Sequence, residues 1–469
     1  MRVLKIRSKR MFAAMLLVLI MSLTAVLPVL AAEWTLSGNV EAHDPTVIKE
    51  GNMWWMFYTG DYLKVKYSND GKSWNQGTPI FTGTLSWWHN YVNRTENVNE
   101  VWAPDIIFEN GRYWLYYAYS EFGTNKSLIG LMSCSSILEG DWRDEGLVIY
   151  SDSTKDYNAI DPGITKDTSG NLWMSFGSFF SGIKLVQLDP STMKPASGAT
   201  IHSIATRPGV TNNPIEGAKI VYTQGYYYMF VAFDYCCRGS DSNYKIAYGR
   251  SKSITGPYVD KAGTSMMDGG GTILEVGDSR WKGPGGQEPF FDGNQWIMVR
   301  HAYDANNNGF PTLRIRDLYW DAEKWPSYSA SSGYYKIQNR GFSSLYLDGL
   351  GFTNNGADLG QWSSSSSYNQ QFEIVNLGNN YYKLINRATG LRVDGMGRTS
   401  AGSNAGQWSD SSSFNQQWEI IDAGSGYMKF KNRATGLYLD NGNQSANGSI
   451  AKQYGDSVSY NLQWKLNKQ

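Results

Sequence analysis

Three cysteines in 469 residues are too few for a disulfide framework, so a fold of this size must rest on its apolar core. Cys236 and Cys237 are adjacent, which leaves a vicinal disulfide and a pair of thiols both open; Cys134 is expected to pack as a small apolar residue. Histidine is scarcer than usual, at four, and no Cys/His spacing matches a zinc site. Neither sign of charge dominates, with Lys+Arg and Asp+Glu both at 42, so no global field draws the chain to nucleic acid or to an anionic membrane. Helical periodicity is missing throughout, which disfavours an α/β architecture. Beyond Leu30 no apolar run is long enough to span a bilayer.

What is plentiful is aromatic and small. The 18 Trp, 31 Tyr and 18 Phe suit strand packing, and a share of them suits stacking on the apolar faces of sugars. Fifty glycines predict many short strands joined by tight turns. At the N-terminus, Arg2, Lys5, Arg7, Lys9 and Arg10 precede an apolar run from Met11 to about Leu30, followed by Ala31 and Ala32. That order reads as a signal peptide over 1–31 and predicts a secreted, extracellular protein; an uncleaved membrane anchor is the rival.

Two internal repeats divide the remainder. The first pairs a leading acid with an apolar pair, a glycine turn and an aromatic strand, as in HDPTVIKEGNMWWMFYTG from His43 and APDIIFENGRYWLYYAYS from Ala103. Its acids are Asp44, Asp105, Asp161, Glu216 and Glu288, spaced 61, 56, 55 and 72 apart. Five such units predict a five-bladed β-propeller over 32–326, with the acids ringing one mouth of its channel. A turn-starting role for Asp-Pro and Pro-Asp explains one copy, but not five in register. The second repeat carries Asn339-Arg340, Asn386-Arg387 and Asn432-Arg433, each followed by an acid at Asp348, Asp394 or Asp440, spaced 46 and 46. Three all-β units of that length predict a β-trefoil over 334–469. Residues 327–333, rich in serine, read as a short flexible linker. The fold class is therefore all-β, a propeller followed by a trefoil.

Between Glu41 and Pro326 the chain resembles the glycoside hydrolases of family 43 and, within them, the endo-α-1,5-L-arabinanases. The resemblance rests on His43-Asp44-Pro45, Trp102-Ala103-Pro104-Asp105, Ala159-Ile160-Asp161-Pro162, Ile215-Glu216, Asp234-Tyr235-Cys236-Cys237-Arg238 and Arg300-His301-Ala302-Tyr303-Asp304, in that order. It implies that Asp44 is the general base, Glu216 the general acid, and Asp161 a third carboxylate that orients the acid and tunes it. The family inverts, which implies about 6.5–9.5 Å between base and acid. The resemblance further implies that His301, expected on the fifth blade's inner strand, holds calcium on the axis. Trp102 and Trp88 are candidates for stacking on arabinose, and core packing is the other reading of both. Asp105 is expected to act as a structural acceptor. Glu288 stands in Gly285-Gly286-Gln287-Glu288-Pro289, where arabinanases carry a histidine, and this departure touches the channel floor.

The C-terminal part is similar to ricin-type β-trefoil lectins and to family 13 carbohydrate-binding modules. Carried over, the sugar-binding residues are Asp348, Trp362 and Asn369, then Asp394, Trp408 and Asn415, then Asp440, Tyr454 and Asn461. The Gln-x-Trp signature is intact at Gln416-x-Trp418 and altered to Gln370-x-Phe372 and Leu462-x-Trp464. The implied partner is a polysaccharide, arabinan or the arabinose-rich side chains of pectin, acted on by a monomer. An exo-acting arabinofuranosidase or β-xylosidase of the same fold, a non-catalytic lectin, and an adhesive wall protein are the competing readings.

Overall fold

The computed structural model describes residues 33–469. The expected signal peptide at 1–31 lies outside the described residues. Within them every regular element is a β-strand or a short 3-10 turn.

Five separate sheets, antiparallel apart from one edge pair in the first, follow one another along the chain. Their first strands are Thr46–Glu50, Glu100–Glu109, Gly163–Lys166, Ile215–Thr223 and Trp281–Phe291, each hydrogen-bonded outward to the next strand of its blade. The second and third strands lie between neighbouring blades and are buried on both faces, which explains their unbroken apolar and aromatic runs. Met53–Tyr58 shows the division: Trp55 and Phe57 pack toward the second blade, whereas Trp54, Met56 and Tyr58 pack toward the fifth. Each junction between blades holds its own aromatic cluster, so the core is five seams rather than one centre. Cys134 is buried in the first seam as a free thiol.

The ring is closed by residues 33–42. Trp34 donates its N–H to the carbonyl of Ile315 at 2.8 Å, and Leu313 donates to Val40 at 2.7 Å. On the opposite side Ser37–Gly38 pairs in parallel with Ser73–Gln76 of the first blade. The N-terminal segment therefore stitches the fifth blade to the first. Glu33 fixes its start on Arg300, Arg314 and Arg316, of which Arg300 is 1% exposed.

In the C-terminal domain six strands close into a barrel: Ser331–Asn339, Phe372–Asn376, Tyr381–Asn386, Trp418–Gly424, Tyr427–Asn432 and Trp464–Lys468. Three hairpins sit over it, pairing Asp348 with Gly360, Asp394 with Gly406 and Asp440 with Lys452. This is the expected three-fold trefoil. Trp418 and Trp464 donate their indole N–H groups to the carbonyls of Val393 and Leu439 at 2.9 and 3.0 Å. Phe372 fills the equivalent buried place in the first lobe without a donor, which explains how the altered signature is tolerated.

The segment expected as a flexible linker is instead packed. Trp325 and Tyr328 are buried in the fourth-to-fifth seam, Tyr328 donates to Glu275 Oε2 at 2.7 Å, and Ser331 already opens the barrel. Serine content signals a tether only when no neighbouring aromatics anchor the chain.

Candidate active site

The first-strand acids do not form one ring; they separate into two levels. Asp44, Asp161 and Glu216 line a cleft of about 1460 Å³ at the mouth of the channel, and Asp105 and Glu288 lie outside its lining. The cause is local backbone geometry. Register shifts interrupt the pairing between Trp102 and Asp105, between Glu216 and Lys219, and between Gly285 and Glu288. A bulge adds a residue to one strand and re-aims the side chains beyond it.

Asp44 and Asp161 each sit just before their strand with φ of 45° and 57°, a left-handed conformation rare outside glycine. Such residues persist where their surroundings hold them. For Asp44 those surroundings are explicit. Its N–H donates to His301 Nδ1 at 3.0 Å, its Oδ2 accepts from Thr59 Oγ1 at 3.1 Å, and His43 Nδ1 lies 3.1 Å from the same oxygen. Glycine is required at 286, because a Cβ there would stand 2.6 Å from Asp44 Oδ1 and 2.8 Å from His301 Nδ1.

The three cleft carboxyls titrate in opposite senses. Burial alone would raise Asp44, but the charge and hydrogen bond of His43, aided by His301 and Thr59, hold it well below the ordinary carboxylate range. It is ionised at every working pH. Glu216 is pushed up to about 7 by burial, against the opposing hydrogen bond from Ser178 Oγ at 2.5 Å and with the added push of Asp44. Asp161 is raised by burial and then by Glu216 and Asp44; its Oδ2 accepts the N–H of Gly217 at 3.0 Å, next to Glu216. Environments that push carboxyls apart assign one as acid and one as base.

Beside them Lys219, half-buried, forms part of the cleft lining. Its Nζ reaches Asp105 Oδ1 at 2.5 Å, the carbonyl of Pro162 at 3.1 Å and Glu288 Oε2 at 3.3 Å. Asp105 also accepts the N–H of Ile164 at 2.5 Å, which ties the second blade to the third and agrees with a structural role. Glu288 is pushed to about 7, first by burial, with Lys219 opposing and Asp105 reinforcing.

His301 lies on the second strand of the fifth blade, Trp296–Asp304, not on the inner strand. It pairs with Gly285, and the bare Gly286 beside that position makes room for the imidazole, since a Cβ there would lie 2.8 Å from Nδ1. It is fully buried and pushed down to about 3, by burial and then by His43. Nε2 has no hydrogen-bond partner among the described residues, which fits a water or a cation at that atom. A neutral imidazole has one acceptor nitrogen, so ligation at Nε2 competes with acceptance of the Asp44 N–H at Nδ1.

Trp102 lines the cleft, with Phe122 edge-on at 6.2 Å, and Phe179, Phe180 and Tyr235 add further aromatic faces. Trp88 does not reach the cleft. It is 1% exposed in the first seam, against Phe81 and Tyr119, with its indole donating to Tyr117 Oη at 3.1 Å. Its place is structural because the turn Ser86–Asn90 turns it inward. Sequence reasoning missed Thr59, Ser178, Lys219 and Tyr303 as site residues. His43, also missed, and Tyr303 stand inside the quoted motifs; Thr59, near the end of the first repeat copy, and Ser178 are common residue types with nothing in their spacing to set them apart.

In the trefoil the three candidate sets recur with the same geometry. Trp362, Trp408 and Tyr454 are about 40% exposed, at 43%, 40% and 39%. Asp348, Asp394 and Asp440 accept the N–H two residues on, at 2.7, 2.6 and 2.5 Å, and each lies two positions from its aromatic on the facing hairpin strand. Asn415 Oδ1 accepts the N–H of Gly397 at 3.0 Å, whereas Asn369 Oδ1 is buried without a partner and Asn461 lies beside Gly341.

Residues 38–326 match the family described as glycosyl hydrolases family 43, and segments at 319–408, 369–454 and 414–469 match the ricin-type beta-trefoil lectin domain-like family. The chain is 55% identical over 310 residues to the extracellular endo-alpha-(1->5)-L-arabinanase 1 of Bacillus subtilis, covering 65% of this chain and 93% of that protein. It is 38% identical to the extracellular exo-alpha-(1->5)-L-arabinofuranosidase ArbA of Cellvibrio japonicus, over 61% of this chain and 86% of that one. Among solved structures, a GH43 endo-arabinanase from Bacillus licheniformis is 54% identical with a TM-score of 0.60, covering 63% of this chain and 99% of the other. With a family match spanning most of the described residues and the carboxyl trio in one cleft, the chain belongs to glycosyl hydrolases family 43 and is a glycoside hydrolase.

Proposed function

We propose that this enzyme is secreted and cleaves internal α-1,5-L-arabinofuranosyl linkages of arabinan with inversion. The observation that carries the reading is the convergence of Asp44, Asp161 and Glu216 from three blades on one cleft, with Asp44 ionised and Glu216 holding its proton toward neutrality. Asp44 takes a proton from water as that water attacks the anomeric carbon, and Glu216 gives its proton to the departing oxygen. Asp161, bonded to the N–H of Gly217, fixes the backbone that carries the acid. The size of the cleft and its aromatic walls suit several sugar units. The two Bacillus relatives named as endo-acting, at 55% and 54% identity, are nearer in sequence than the Cellvibrio one named as exo-acting, at 38%, which supports internal cleavage.

The trefoil, in this reading, holds the enzyme on its polymer through exposed aromatics beside paired acids. A calcium ion at His301 Nε2, its shell completed by water, would require the hydrogen to move to Nδ1 and the Asp44 N–H to give up its acceptor there; in that tautomer it would place positive charge near Asp44. The enzyme acts as a monomer. A time course on debranched arabinan tests the main reading, with xylan as comparison. Oligosaccharides released first support it; arabinose alone assigns the exo reading, and xylose products assign β-xylosidase. Metal analysis, with chelation and calcium return followed by thermal melting, tests the ion.

A further inference from the structure

The segment after the fourth blade's second strand bears no obvious part in proton transfer, yet it reaches the base. Asp234 anchors it through Arg207 and Lys245, each at 2.7 Å, and Tyr235 N–H donates to Asn243 at 3.0 Å. Between these anchors Cys236 and Cys237 are joined to each other. Both line the cleft. Cys237 has φ of 64°, and a ring through two adjacent residues limits the turn available to its backbone. That turn aims the Cys237 N–H at Tyr303 Oη, 2.9 Å away. Tyr303 is 3% exposed, and its hydroxyl lies 2.8 Å from His43 Nε2. His43 Nδ1 in turn lies 3.1 Å from Asp44 Oδ2.

Every link has a donor and an acceptor. With His43 charged, as its hold on Asp44 requires, its Nδ1–H donates to Asp44 and its Nε2–H to the Tyr303 oxygen, which also accepts the Cys237 N–H. The sulfur of Cys237 also lies 3.8 Å from His43 Nε2, so the disulfide walls the imidazole on its open side.

We propose that the Cys236–Cys237 disulfide is a positioning element for the general base, acting through Tyr303 and His43 on Asp44. This rests on the arabinanase reading only for its assay substrate. Opening the ring frees the Cys237 backbone, Tyr303 loses its fixed donor, and the carboxylate samples orientations that do not face the attacking water. A misplacement of about 1 Å can cost on the order of a hundredfold in rate.

The test compares the intact full-length enzyme with the same enzyme reduced by dithiothreitol, which converts the disulfide to two thiols and is itself oxidised to its cyclic disulfide. Thiol titration in denaturant should rise from one to three per chain. On linear arabino-oligosaccharide, kcat should fall about ten- to a hundredfold with KM changed less than twofold, and should return on reoxidation. Tyr303→Phe, which keeps the ring and removes the hydroxyl, should show a comparable kcat loss in the oxidised state, and reduction should add little to it. An unchanged kcat in Tyr303→Phe overturns the proposal, whatever reduction does to folding. So does a reduced enzyme with full kcat, or a loss confined to KM, which would mark the sulfurs as a sugar contact instead. An oxidised wild type inert on arabinan would sink the functional reading and is distinguishable from all of these.

Discussion

Glu216→Gln should abolish turnover and yet stabilise the protein at alkaline pH. In the fold the Glu216 carboxyl is raised from an ordinary 4.5 to about 7, chiefly by burial. A group that binds its proton more tightly when folded carries no penalty below the unfolded value. The penalty grows as pH climbs from about 4.5 to about 7 and is constant beyond. Raising a carboxyl from 4.5 to about 7 corresponds to about 3 kcal/mol. Glutamine removes that ionisation while keeping an acceptor for Ser178, and it also removes a neighbour that raises Asp161. At roughly 2 °C per kcal/mol for a domain of this size, the variant should gain about 6 °C in Tm over wild type between pH 5 and pH 8.5. Paired thermal melts by circular dichroism at the two pH values measure it. A Tm difference that does not change with pH would mean that Glu216 is not held protonated by the fold, and its assignment as acid would fail.

Four further outcomes follow from the same geometry. In the wild type, kcat should decline as pH rises through about 7, where Glu216 loses its proton, with no acid limb from Asp44 above strongly acid pH. Ser178→Ala removes a hydrogen bond that favours the carboxylate; at roughly 1.5–3 kcal/mol for a bond to a charged group, the decline should move up by about one to two units in a pH–rate profile. Asp44→Asn should lower kcat by about 10²- to 10⁴-fold on oligosaccharide. Trp408→Ala should weaken retention on insoluble polymer about two- to tenfold in a pull-down while leaving hydrolysis of soluble oligosaccharide intact, as expected for one stacking contact.

Repeats made the architecture legible. Five acid-led units and three Asn-Arg units fix the number of blades and lobes before any coordinate, because each unit must bury its faces against the next copy. The repeats single out five equivalent acids; the choice of Asp44, Asp161 and Glu216 among them comes from the family resemblance, and the fold brings those three into one cleft. What the sequence hid was register. Asp105 and Glu288 occupy the same repeat position as Asp44, yet bulges drop them to a lower level around Lys219, a residue without a repeat partner. His301 lies one strand further out than its motif suggests, and it reaches Asp44 because Gly286 between them carries no side chain. Trp88 and Trp102 look alike as exposed aromatics in a string; only the inward turn at Ser86–Asn90 separates them.

The packed junction between domains bears on how the trefoil serves the cleft. Trp320 accepts from Asn376 at 2.7 Å and from Tyr382 at 3.2 Å, and Asp422 accepts from Tyr226 at 3.1 Å and Lys252 at 3.2 Å. Tyr226 follows the turn at the far end of the strand that begins with Ile215 and Glu216, and seven residues of strand span roughly 23 Å. The trefoil thus docks toward the propeller face away from the catalytic carboxyls, and its lobes cannot share the sugar under attack. Flexible tethers let a binding module search independently; a docked one holds a fixed offset, which helps only where polymer strands pass both faces at once. On a lone chain in solution the trefoil should therefore add little to turnover, and on a bundled wall it should add much. Deleting residues after 328 would not isolate that effect, because it uncovers the seam where Trp320 and Ala322 meet Asn376, Tyr382 and the barrel core. Aromatic substitutions on the lobes, which leave that seam whole, are the perturbations able to separate binding from folding.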